Sequence, residues 1–266
     1  MSKHLKRLAS PRSWTIHRKT KKWVVKPSPG PHPIEQAIPL VLLVREFLDL
    51  ANSTAEAKRI IGNGDIMVDG RVVRNYKLPV GLMDVISIPK LNLYYRILLN
   101  NRGKIDFVKI NKDEARWKLV RIENKNTIPG GMTQLNLHDG RNILIQKNKY
   151  KTGDVLKIAI PEQKIQTNFP FEAGNLAMLI GGNHIGEYAT ISKYEKIKNP
   201  KPNIVYFDTF STVQEYVFIV GSEKPAIKLL DVSAIEESAD HTSTDEPSKS
   251  SEAETDTKSN KSEATS

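Results

Sequence analysis

The sequence predicts an α+β protein: two short helices followed by a long succession of short β-strands, with a basic arm ahead of them and an acidic tail behind. Three observations carry this prediction. Residues 38–63 place apolar side chains at helical spacing and include the capping box Ser53-Thr54-Ala55-Glu56. Beyond them, short runs of alternating or continuous apolar residues are separated by turn signals, among them Asp-Gly at 69–70 and 139–140. Charge is also unevenly spread along the 266 residues, whose formal net charge is +10.

The first segment, 1–37, is read as an arm. Residues 1–33 hold nine Lys or Arg and no acid, and "KPSPGPHP" packs four prolines into eight positions. Such a run stays extended with little entropy to lose on docking. Lys6, Arg7, Arg12, Arg18, Lys19, Lys21 and Lys22 are therefore candidate phosphate contacts, with Trp14 a candidate for stacking on a splayed base. The alternative is that Trp14 and Trp23 cover the core of the body.

A helix is expected from Pro39 to Leu50, mostly buried, with Arg45, Glu46 and Asp49 on its polar face. A second begins at Ser53, turning Ala57, Ile60 and Ile61 inward and Lys58 and Arg59 outward. Gly62-Asn63-Gly64 suits a helix end, and Asp69-Gly70 suits a two-residue hairpin turn. The glycines do not form a dinucleotide cradle: position 67, where a third glycine belongs, is Met67, and no strand precedes them. Arg71, Arg74 and Lys77 join Lys58 and Arg59 as cations expected to share one face.

From residue 93 to 170 the pattern is β-like and suggests a small central barrel or meander. His138 and Arg141 flank its Asp-Gly pair, where an exposed loop would meet either RNA or water. From 171 to 232 the chain predicts a strand at Leu176–Ile180, a glycine loop at Gly181–Gly186 and a strand at Glu187–Ile191. Gly181, Gly182, Asn183 and His184 form a candidate contact loop for RNA or protein. Residues 233–266 carry nine acids and three lysines with hardly an aliphatic side chain, so they are expected to be disordered. That leaves residues 1–232 at +16, a field that favours a polyanionic partner.

The composition also excludes chemistry. With no cysteine there is no disulfide, thiolate nucleophile or zinc knuckle, which suits a reducing, cytoplasmic setting. The longest strongly apolar run, Ile38–Val44, is far short of the ~20 residues a membrane helix needs. No cofactor, metal or small-molecule substrate is expected, and no membrane. The six histidines are scattered, and no catalytic or metal-ligand spacing gathers around the carboxylates.

"REFLDLANSTAEAKRIIGNGDIMVDGRVVRNYKLPVGLMDVISI" resembles the small helix-hairpin RNA-binding module named after bacterial ribosomal protein S-four. "FEAGNLAMLIGGNHIGEYATI" resembles the KOW motif of SH3-like β-barrels, although its loop carries fewer cations than is usual. Together with "HLKRLASPRSWTI", "QLNLHDGRNI" and "YVFIVG", these blocks follow the order of the archaeal and eukaryotic small-subunit ribosomal protein family S-four-e, and "IENKNTIPGGMTQLNLHDGRNILI" looks archaeal. The resemblance implies five parts: a basic arm (1–37), an S-four-like module (38–92), a central β domain (93–170), a KOW-containing barrel (171–232) and the acidic tail (233–266). It also implies a structural constituent of the small ribosomal subunit whose partners are small-subunit rRNA and neighbouring ribosomal proteins. The competing readings are a factor that cycles on and off RNA and an RNA-modifying enzyme.

Overall fold

The structure, a computed structural model, describes residues 4–146, 148–197, 199 and 201–230; the expected acidic tail lies outside the described residues. The basic segment folds back on itself. Its strand β1 (Leu5–Lys6) pairs antiparallel with β2 (Trp23–Val24), and Trp14 and Val24 enter the main core. Strand β3 (Ala37–Pro39) follows.

The first expected helix is much shorter than its sequence pattern suggests. Ala37, Ile38 and Pro39 are taken up by antiparallel pairing with residues 79–81, so the helix begins only at α1 (Leu40–Leu42). It continues as one π turn, Leu43–Phe47, closed by Leu48 N–H donating to the Leu43 carbonyl at 3.1 Å. Asp49, at φ 48°, then turns the chain out of the helix. The second helix, α2 (Thr54–Asn63), starts as expected: the Ser53 side chain accepts from Glu56 N–H at 3.2 Å. Glu56 reaches back to Asn52 N–H rather than to that of Ser53. Gly64 closes α2 at φ 83°, a left-handed conformation that glycine takes without a Cβ clash.

Strands β4 (Met67–Val68) and β5 (Arg71–Val72) form the expected hairpin, with Asp69 and Gly70 both at positive φ. After β6 (Pro79–Gly81), the partner of β3, come β7 (Val85–Ile88), β8 (Leu93–Leu99) and β9 (Ile105–Lys109). They complete an antiparallel sheet of order β5-β4-β7-β8-β9. Thus β8 and β9, which follow the expected boundary at 92/93, pair into the sheet of the helix-hairpin unit. Ala57 and Ile61 of α2, the first helix and Trp14 bury the inner face of this sheet.

A second antiparallel sheet of order β12-β11-β10-β13-β14 is built from β10 (Trp117–Thr127), β11 (Thr133–Leu137), β12 (Asn142–Ile145), β13 (Val155–Ala159) and β14 (Ile165–Phe169). Alternation works as expected in β11, where Thr133, Leu135 and Leu137 point inward. Val120, Ile122, Leu156 and Ile158 complete a separate core. The last six strands are β15 (Leu176–Leu179), β16 (Tyr188–Thr190), β17 (Lys193–Glu195), β18 (Ile204–Tyr206), β19 (Ser211–Val213) and β20 (Val217–Gly221). They form two three-stranded sheets, β16-β15-β20 and β17-β18-β19. Arg121 of β10 donates through Nη1 to the carbonyls of Glu215 (2.7 Å) and Val217 (3.0 Å), tying the second sheet to this last group.

Candidate nucleic-acid interface

On α2 the helical period turns Ala57 and Ile61 into the core and leaves Lys58 and Arg59 exposed. Lys58 Nζ lies over the Tyr76 ring at 4.5 Å and Lys77 Nζ approaches the same ring at 5.6 Å, so one aromatic face gathers two cations from separate segments. The exposed Arg74 runs beside Gly64 at the end of α2. Lys58, Arg74 and Lys77 therefore border one region. Arg71 departs from it: it lines a cavity of about 530 Å³ whose wall includes Asp69, Asp84 and Asp139. Arg71 thus borders the carboxylate-lined cavity, while Arg74 and Lys77, which lie beyond β5, stay beside α2 and Tyr76.

The arm sorts its cations more sharply. Lys6, Arg12, Lys19, Lys21 and Lys22 are exposed. Arg7 is not a surface contact: at 3% exposure it donates to the His17 carbonyl and, at 3.0 Å, to Glu46. Arg18 donates to the carbonyls of Ser10 (2.6 Å) and Pro11 (2.7 Å), fastening the loop between them. Trp14 does not stack on a ligand either. It is 1% exposed and its indole N–H donates to the Ala37 carbonyl at 2.6 Å, so it is the peg that seats the arm. The exposed indole is that of Trp23, with Lys22 Nζ 5.4 Å from its ring.

The glycine loop is partly occupied by its own fold. Gly181 lies so close to the Tyr216 ring that a Cβ there would sit 2.5 Å from it. His184 stacks on Phe210 at 4.1 Å and pairs through Nδ1 with Glu187 at 3.0 Å. Gly182 and Asn183 are exposed.

His138 and Arg141 form no exposed pair. They belong to a buried polar group centred on Lys118, whose ammonium meets Asp69 (2.6 Å), Asp84 (3.0 Å) and Asp139 (2.6 Å). Arg141 bridges Asp69 and Asp139, and His32 Nε2 lies 2.9 Å from Asp84. Burial opposes the charges of Lys118, His32 and the three carboxylates. At Asp84 the Lys118 ammonium and His32 outweigh it and hold the carboxyl well below the usual range; at Asp69 burial and the neighbouring Asp84 prevail and raise it. At Lys118 burial is outweighed by Asp84, Asp69 and Asp139, which raise its pKa. His138 is pushed down to about 3 by burial, in keeping with its Nδ1 accepting from Arg121 N–H at 3.2 Å, a role only the neutral ring can play.

Residues 1–35 match the RS4NT (NUC023) domain and residues 91–165 match Ribosomal family S4e. The small ribosomal subunit protein eS4 of Methanothermobacter thermautotrophicus is 47% identical over 232 residues, covering 85% of this chain and 96% of the relative.

The chain belongs to ribosomal family S4e.

The eS4 protein of Methanocaldococcus jannaschii is likewise 47% identical, over 240 residues, 85% of this chain and 97% of the relative. In the crystal structure of 30S ribosomal protein S4e from Thermoplasma acidophilum, 37% identical, the superposition covers 70% of this chain and 96% of that one with a TM-score of 0.63. The family resemblance read from the sequence and the α+β class are both borne out. Sequence reasoning missed Lys118 and its three carboxylates in this S4e chain. The available signal was that Asp69 and Asp139 both precede a turn glycine and that Lys118 stands in the apolar run "WKLV", where an exposed lysine is out of place.

Proposed function

We propose that this S4e chain is a structural constituent of the small ribosomal subunit that binds rRNA, supports subunit assembly and contacts neighbouring ribosomal proteins in the cytoplasm. The observation that carries the proposal is its match to proteins named small ribosomal subunit protein eS4 over nearly their whole length. On this reading its work is positional rather than catalytic. Lys58, Arg59, Arg74 and Lys77, with the exposed arm cations Lys6, Arg12, Lys19, Lys21 and Lys22, neutralise phosphates of folded rRNA, and Trp23 offers a stacking face. Arg71, exposed at the hairpin turn away from that region, meets a separate stretch of the RNA. Residues 171–232 act as a KOW-like SH3 barrel, with Gly182 and Asn183 as the accessible tip of its loop.

Sucrose-gradient sedimentation of cell extract at high salt tests this. The chain should co-sediment with small subunits; quantitative release to the top of the gradient would favour a factor that cycles on RNA.

A further inference from the structure

A cavity of about 530 Å³ opens between the arm and the turn joining β8 to β9, and no Asp or Glu lines it. Arg12, His17 and Arg18 enter from the arm, and Arg102 and Lys104 from the turn. Both walls are fixed in place. The Trp14 indole and the 2.9 Å bond from Ile105 N–H to the Ser13 carbonyl pin the arm. Across from it, Asn100 Oδ1 accepts from the backbone N–H groups of both Arg102 and Lys104 at 3.0 Å. The outer side of the same turn is braced by the glycine loop: Ile185 packs on Gly103, and Gly186 sits so close to Asn100 that a Cβ there would lie 2.1 Å from its carbonyl oxygen.

The charge in this cavity is unbalanced. Arg18 spends its guanidinium N–H groups on backbone carbonyls and contributes mainly field. Among the described residues, the side chains of Arg12, Arg102 and Lys104 have no carboxylate within ion-pair distance. Like charges held together on rigid walls repel one another, and an anion entering between them relieves the repulsion while accepting their N–H groups. Arginine forks suit phosphate oxygens in particular, and the volume admits a phosphodiester with its sugar.

We propose that this cavity is a binding site for an RNA backbone phosphate, with Arg12, Arg102 and Lys104 as donors. It clamps one strand between the arm and the β8–β9 turn. The site rests on the ribosomal reading but adds two residues, Arg102 and Lys104, outside both the arm and the helix-hairpin face.

The test is filter binding of the full chain to small-subunit rRNA across a salt series, comparing the parent with Arg102→Ala/Lys104→Ala and with the charge-conserving Arg102→Lys/Lys104→Arg. The alanine pair should lower the slope of log affinity against log salt by about 0.7 to 0.9, the share of one phosphate contact, and the conservative pair should restore most of it. Both should melt like the parent, since among the described residues neither side chain makes a hydrogen bond or ion pair. Strong parental binding with an unchanged slope in the alanine pair would overturn this site alone. Failure of the parent to bind rRNA would overturn the ribosomal reading and the site with it.

Discussion

Lys118 and Lys58 are the same residue in opposite surroundings. Lys118 is 0% exposed, ringed by three carboxylates brought in by the β4–β5 turn, the segment before β7 and the loop after β11. Lys58 is exposed and meets an aromatic face shared with Lys77. Between them the two lysines show how an excess of positive charge is apportioned. Where carboxylates from distant segments converge, a cation is consumed as structure; where only aromatic or apolar groups surround it, its charge stays available to a partner. The arm repeats the contrast, with Arg7 and Trp14 spent inside while Lys22 and Trp23 remain outside.

Removing Lys118 should have the largest effect. Lys118→Met leaves Asp69, Asp84 and Asp139 buried without their central cation, and breaking a buried pair in this way costs about 3 to 5 kcal/mol. Urea unfolding would measure it, and a loss below about 1 kcal/mol would mean that Arg141 and His32 suffice to hold the group together.

The two tryptophans sharpen the contrast within the arm. Trp14→Ala should cost about 3 to 5 kcal/mol, because it opens a cavity and strands the Ala37 carbonyl. Trp23→Ala should cost less than about 1 kcal/mol and appear instead as weaker rRNA binding. Equal losses of stability would erase the distinction between peg and platform.

A further contrast, between two buried histidines, is read in the pH dependence. His138 takes a proton near 6.5 when unfolded but only near 3 when folded, chiefly because it is buried, so the stability it contributes is complete above about pH 6.5 and is lost as pH falls toward 3. His32 has the opposite sign: burial lowers its pKa, Asp84 outweighs that and raises it, and its contribution is complete below about pH 6.5 and fades as pH climbs through the raised value. His138→Gln should therefore flatten the decline in urea midpoint between pH 6.5 and 4.5, leaving the later acid loss as Asp84 is protonated. A decline as steep as the parent's would place the titrating group elsewhere.

Much of the fold was legible because its signals are local. The Ser53–Glu56 cap, Gly64 and the Asp69-Gly70 turn are each decided by residues within a few positions of one another, and alternation in residues 133–137 set the inward face of its strand. The long first helix was misjudged because pairing of Ile38 with Val80 competes with helical propensity and wins. The charged residues were harder still. Composition states how many cations there are, but a lysine bound for the interior and one bound for a phosphate look alike in a sequence.

Residue order and neighbours along the chain are enough to set the family, the α+β class, the excess of positive charge and the glycines that end α2 and turn the hairpins. Which cations stay free depends instead on contacts between segments far apart in the chain. Arg7 finds Glu46 39 residues away, Trp14 finds Ala37 at 23, and Lys118 finds Asp69 at 49. Those meetings are fixed by how the sheets and the arm close on one another, and burial then makes each unpaired charge too costly to leave without its partner.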